Sequence, residues 1–317
     1  MGDRYTIDNV CALERRHCVV LLVIPLLFAS PFPLGASVYD EPLYDVCITA
    51  DAVYGIGVVN EGASTVDLVS DLYEPIGCGQ VLKPVLVTIH GGGFITGDKT
   101  ADEHVALALY FATRGFAVVS INYRLGRDEP PADPEQVAAA AAYRMLFGAA
   151  DLAAAHAAIV DTKTALRWVH ANAEIYGFDT NRVFVSGDSA GEFCAVIAAI
   201  TEPAALCTDL PGEAIPEMNH PTADCDVQAA VNLWGGAGPW LDALDAVDPP
   251  MMLVYGSEDW LLEEGERLCS RCNAIGATFE WVLLDGWGHS TWDAKIAGQS
   301  IPAAILEFLT RRRLLTL

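Results

Sequence analysis

Lysine is scarce in this sequence. Four lysines, Lys83, Lys99, Lys163 and Lys295, stand among 18 basic residues that face 42 acidic ones, for a net charge of -24. A surface of that sign repels phosphate backbones and anionic lipid, which argues against nucleic-acid partners and against docking on an acidic membrane. It equally disfavours an anionic substrate and keeps an exported chain soluble. The sequence also lacks a Gly-Lys-Ser/Thr run after its glycine cluster at 91–93, so that cluster is not a phosphate-cradling loop. No internal repeat and no long low-complexity linker divides the 317 residues. With 52% hydrophobic and 19% charged residues the chain has the composition of a folded protein with a large core.

A comfortable membrane span is missing too. The apolar run from Cys18 to Phe28 is too short for one, and Pro25 interrupts it. Arg15 and Arg16 precede that run, and Gly35, Ala36 and Ser37 follow it. A basic flank, a short apolar stretch and a small-residue cleavage site together predict a secretory signal peptide over 1–36, with 37–317 as the mature chain. The alternative is an uncleaved anchor. Cleavage near Ala36 leaves Cys47, Cys78, Cys194, Cys207, Cys225, Cys269 and Cys272. Export permits disulfides, and proximity suggests Cys47 with Cys78, Cys207 with Cys225, and a local Cys269–Cys272 bridge. Cys194 falls in an apolar helix and reads as a buried thiol.

What is present is an alternation of strand-like and helix-like segments, which predicts an α/β fold with a mostly parallel central sheet flanked by helices. Thr65 to Leu72 alternates apolar and polar residues as an edge strand does. Pro84 to His90 and Phe116 to Tyr123 are runs of the kind buried in parallel sheets, with a helix over Ala101 to Arg114 between them. Arg182 to Ser186, Val227 to Trp234, Met251 to Tyr255 and Thr278 to Leu284 give four more strands, and Pro302 to Arg311 a last amphipathic helix. Arg127 to Ala158 breaks the rhythm: it turns alanine-rich and predicts a helical insertion. That insertion is either a surface excursion or a pocket wall, with Tyr143, Met145, Leu146 and Phe147 as apolar lining.

Chemistry concentrates at four places. Gly187-Asp188-Ser189-Ala190-Gly191 lies directly after one strand and before an apolar helix, the context in which a sharp turn exposes a nucleophilic serine. His90-Gly91-Gly92-Gly93-Phe94 ends the strand from Pro84, and successive glycines leave backbone N–H groups uncovered for an oxyanion. His289, in a glycine-rich loop before the last helix, stands where a base should follow nucleophile and acid. Asp259, after the strand from Met251, is the leading candidate for the acid; Glu258 and Asp285 compete with it.

These motifs, with Asn122-Tyr123-Arg124-Leu125 and the stretch from Ala165 to Asp179, resemble the hormone-sensitive-lipase and carboxylesterase branch of the α/β-hydrolases. The resemblance covers roughly residues 65–310 and implies one α/β-hydrolase catalytic domain over 37–317. It implies a Ser189–His289–Asp259 triad, oxyanion donors from the N–H groups of Gly92, Gly93 and Ala190, an acyl-enzyme resolved by water, and no metal or organic cofactor. The expected activity is hydrolysis of carboxylic esters, small or polymer-linked. A feruloyl- or acetyl-xylan-type esterase, a serine peptidase and a silent adhesion module on the same fold are the alternatives. Glu192 departs from the family pattern, where a small residue is usual, and so does the length of the alanine-rich insertion. Aromatic residues Phe94, Trp234, Trp240, Trp260 and Trp287 are candidates for an apolar pocket.

Overall fold

Runs of β-branched and apolar residues with no polar face need cover on both sides, and the chain provides it with helices. The computed structural model describes residues 18–21, 39–78, 82–133 and 149–315. The strands are β1 (Cys18–Leu21), β2 (Asp45–Val59), β3 (Ser64–Ile76), β4 (Lys83–Ile89), β5 (Ala117–Ile121), β6 (Phe178–Asp188), β7 (Ala229–Leu233), β8 (Met251–Gly256) and β9 (Phe279–Leu284). They form one sheet in the order β1-β2-β3-β5-β4-β6-β7-β8-β9. Pairings from β1 through β3 to β5 are antiparallel, and those from β5 to β9 are parallel. A small hairpin of β10 (Lys295–Ile296) and β11 (Gln299–Ser300) follows.

The helices are α1 (Asp102–Ala112), α2 (Ala149–Ala171), a single turn α3 (Ala173–Tyr176), α4 (Ala190–Ile200), α5 (Leu262–Ile275) and α6 (Ile301–Arg311). Helix α4 is buried nearly all round, which its sequence of Phe, Cys, Val, Ile and Ala requires. In α6 the apolar residues Ile301, Ala304, Ile305, Phe308 and Leu309 recur at helical spacing, and all five are buried. Among the described residues no helix is long and apolar enough to cross a membrane.

The structure departs from the sequence expectations in several places. The strand around Thr65 to Leu72 is not an edge: β3 is paired by β2 on one side and β5 on the other. Strand β2 escaped notice because its alternation is broken by register shifts between Thr49 and Ala52 and between Val53 and Gly55. The alanine-rich region ends in α2, one helix that runs on through Trp168; residues 134–148, with Tyr143, Met145, Leu146 and Phe147, lie outside the described residues. Residues Cys18–Leu21 of the expected signal segment pair with β2, and the rest of 1–36 lies outside the described residues.

Cys47, Cys78, Cys194, Cys207, Cys225, Cys269 and Cys272 are thiols in this structure, so none of the expected bridges is formed. Cys269 and Cys272 sit three residues apart within α5. Cys194 is fully buried in α4, and burial pushes its thiol well above the ordinary range.

Candidate active site

Sheet register brings the site together. Ile89 pairs with Gly187, and Asp188 pairs with Leu233, so the ends of β4, β6 and β7 lie side by side. Gly256 pairs with Leu284, which brings the loops after β8 and β9 together. Those two loops are then joined by Glu258 N–H donating to Trp287 O (2.8 Å) and Gly286 N–H donating to Ser257 Oγ (2.8 Å).

Ser189 sits between β6 and α4 with φ 51° and ψ -118°, a sparsely populated backbone region. The strain persists because the turn is fixed from both sides. A Cβ on Gly187 would lie 2.2 Å from Gly191 O, and one on Gly191 would lie 2.2 Å from Ile89 O. Only glycine fits either position.

The structure brings Ser189, His289 and Asp259 into one line. His289 Nε2 is 2.8 Å from Ser189 Oγ, and His289 Nδ1 is 2.9 Å from Asp259 Oδ1. Asp259 also accepts a 2.8 Å hydrogen bond from Leu261 N–H, and its side chain is fully buried. An ionised carboxylate only accepts, so the imidazole hydrogen lies on Nδ1 and Nε2 is left free to take the serine proton. The two competing acids, Glu258 and Asp285, are exposed.

Gly92 and Gly93 line the same cavity as Ser189, in a loop with φ of 115° and 64°. Ala190 opens α4, where the first-turn amides have no partner within the helix. His90 anchors the loop: its ring stacks on Tyr123 at 4.3 Å and its Nδ1–H donates to Gly91 O (2.7 Å). Burial lowers its pKa to about 4, so it is a neutral anchor near neutral pH.

The cavity measures about 430 Å³ and carries Asp98 and Glu103 at its edge, with no lysine or arginine among its lining residues. Burial pushes the Asp98 carboxyl up, but hydrogen bonds from Thr100 and Asn122 outweigh it and bring the pKa down to about 2. Of the five aromatic candidates, Trp260 lines this cavity, 58% exposed and with its ring 4.9 Å from that of His289. Phe94 and Trp234 are core residues, Trp240 lines a separate cavity, and Trp287 is exposed on the base loop.

Glu192 does not shape the pocket. Its side chain is fully buried behind the elbow, against Gly236 N–H. Burial, reinforced by nearby Glu264, raises its carboxyl well above the usual range. The sequence reading missed Asp188 as a structural partner: its Oδ1 accepts from Gly91 N–H (2.8 Å), and signal for it lay only in its place between Gly187 and Ser189. Among the described residues no cluster of three His, Cys, Asp or Glu side chains could hold a metal ion.

Fold and site define an α/β-hydrolase with a Ser-His-Asp arrangement at the carboxyl ends of its parallel strands. The chain belongs to the BD-FAE family: the family model matches residues 70–145 and 137–241, together more than half of it. It is similar to carboxylesterase 3 of Homo sapiens, 34% identical over 134 residues that make up 42% of this chain and 20% of that protein. The chain spans about a fifth of the length of such curated relatives. A propionate-bound thermophilic esterase of Thermogutta terrifontis has the same fold, with a TM-score of 0.62 at 19% identity over 83% of this chain and 95% of that one. A truncated carbohydrate esterase from gut microbiota matches with a TM-score of 0.61 at 18% identity, over 86% and 98%.

Proposed function

We propose that this protein is a serine carboxylic-ester hydrolase. The observation that carries the reading is the continuous Ser189–His289–Asp259 hydrogen-bonded line, set on a strained elbow across a cavity from the glycine loop. Ser189 Oγ attacks the ester carbonyl while His289 Nε2 takes its proton, and Asp259 orients the imidazole and stabilises its charged form. The carbonyl oxygen, now anionic, accepts from the N–H groups of Gly92, Gly93 and Ala190. His289 returns the proton to the departing alcohol, and water repeats the cycle on the acyl-enzyme.

Hydrolysis of p-nitrophenyl esters from acetate to palmitate tests the assignment. Short acyl chains are expected to be turned over best, since the cavity of about 430 Å³ has no long apolar extension among its lining residues. No turnover of any ester would sink the reading, and a matched p-nitroanilide cleaved faster than the ester would favour a peptidase. Exposed Trp260 beside His289 favours a second, finer reading. An aryl or sugar ring attached to the ester would stack on it, as on a feruloyl- or acetyl-bearing polymer. The likeness to the carbohydrate esterase from gut microbiota supports the same reading.

We also infer export. The Arg15–Arg16 pair, the apolar run and the small residues at 35–37 support it. Cleavage there would remove β1 and leave β2 at the sheet edge. Secreted protein is expected to begin near residue 37 by N-terminal sequencing; a chain retained with residues 1–36 intact would count against it.

A further inference from the structure

His104 is 1% exposed on α1 and does not line the cavity, yet it contacts the residue before the nucleophile, the strand that leads into the glycine loop and the segment just after the base. Its Nε2 lies 2.8 Å from Asp188 Oδ1, and its Nδ1 lies 2.9 Å from Thr88 Oγ1 on β4. Its ring meets Trp292, three residues beyond His289, edge to face at 5.7 Å. The same Asp188 oxygen that faces His104 accepts from Gly91 N–H at 2.8 Å. The glycine loop rests directly on this carboxyl, because a Cβ on Gly91 would lie 2.7 Å from Asp188 Oδ2.

A carboxylate offers acceptors only, and a buried one needs donors to hold it. His104 supplies a donor from a rigid ring that Thr88 and Trp292 fix in place. The direction of that hydrogen bond sets the rotation of the Asp188 carboxyl, which in turn sets where Gly91 N–H points. Gly92 and Gly93 follow one residue on. We propose that His104 is a positioning residue: through Asp188 and Gly91 it keeps the glycine-loop amides aimed at the oxyanion formed on attack by Ser189. The proposal rests on the serine-hydrolase reading given above. Without His104, Asp188 keeps Gly91 as a partner but loses the contact that fixes its rotation. A displacement of about 1 Å at such a donor costs on the order of 10²-fold in rate.

The full chain and its His104→Ala, His104→Gln, His104→Asn and Thr88→Val variants provide the test. Three quantities are read: kcat and KM on p-nitrophenyl acetate, the rate at which a fluorophosphonate labels Ser189, and Tm. His104→Ala is expected to lower kcat and the labelling rate about 10²-fold, with KM changed by less than about threefold. Glutamine places its amide nitrogen near the position of Nε2 and is expected to restore most of the loss. Asparagine mimics Nδ1 and is expected not to. Thr88→Val, which keeps the shape of the side chain, is expected to lower kcat several-fold without changing KM.

A fall in Tm with kcat and labelling rate unchanged per titrated active site would assign His104 to the fold alone and overturn the proposal. Equal activity of the glutamine and asparagine variants would overturn it as well. If His104→Ala does not fold, the comparison of glutamine with asparagine and the Thr88→Val result still decide. The two readings separate cleanly. A wild type that turns over no ester, yet whose Ser189 is labelled more slowly once His104 is replaced, loses the substrate assignment and keeps the positioning role; a wild type inert to both loses both.

Discussion

Ser189→Ala is expected to lower kcat on short p-nitrophenyl esters by about 10⁶-fold, with KM little changed. Alanine removes the only atom that bonds covalently to the acyl group, while the cavity and the glycine loop stay as they were. The elbow relaxes little, because Gly187 and Gly191 are held by backbone contacts independent of the hydroxyl. His289→Ala should cost nearly as much, since a neutral serine hydroxyl 2.8 Å from an absent base is a weak nucleophile. The double variant should be no slower than either single one, because the pair acts as a unit. A residual rate about 10³-fold above the uncatalysed reaction is expected from substrate binding and the oxyanion donors alone. Steady-state kinetics at protein concentrations fixed by absorbance measures all three. Activity within about tenfold of wild type in Ser189→Ala would place the nucleophile elsewhere.

How far these features could be read in advance depended on sequence distance. The elbow was legible because Ser189, its strand and its helix are contiguous, and the constraint on its glycines is local. Chain order and the end of a strand pointed to the Glu258–Asp259 pair over Asp285 but do not separate those two neighbours; the structure sets Asp259 against His289 and leaves the other two exposed. Strand β2 was hidden because its two register shifts destroy the period-two pattern on which strand recognition depends. Glu192 was visible as a departure, but nothing in the sequence says that its carboxyl turns into the core behind the elbow and away from the cavity. Nothing in the sequence sets His104 apart from any other residue of its helix. Its contact with Asp188 spans 84 residues, and only the packing of α1 on the sheet creates it.

The same limit hid a buried charge cluster centred on Arg124, and breaking it gives the largest expected loss of stability. Arg124 follows β5, with a side chain 1% exposed between Asp161 of α2 and Asp209 of the loop after α4. Its Nε and Nη2 donate to Asp161 at 3.0 and 2.6 Å, its Nη1 and Nη2 to Asp209 at 2.7 and 2.9 Å, and Nη1 also to Val58 O at 2.8 Å. One guanidinium therefore ties together strand β2, helix α2 and the loop after α4. Burial holds the Asp161 carboxyl above its ordinary pKa even with Arg124 beside it. Arg124→Met leaves two buried carboxylates facing each other with no counter-charge, and is expected to cost about 3–5 kcal/mol at pH 7. Lysine should not rescue it, because one ammonium cannot make the forked contacts to both acids. The sign of the pH effect follows from the carboxyls. In the variant the folded pKa of Asp161, already raised by burial, rises further above its unfolded value, so the penalty on its charged form is full at neutral pH. It shrinks as pH falls toward about 4, where the unfolded chain also takes up the protons. Adding Asp161→Asn and Asp209→Asn to Arg124→Met should recover much of the loss at pH 7, since no unpaired charge then remains. Urea midpoints at pH 7 and pH 4.5, at unchanged m, read the effect. A loss below about 1 kcal/mol, or one independent of pH, would show that this cluster does not hold the three segments together.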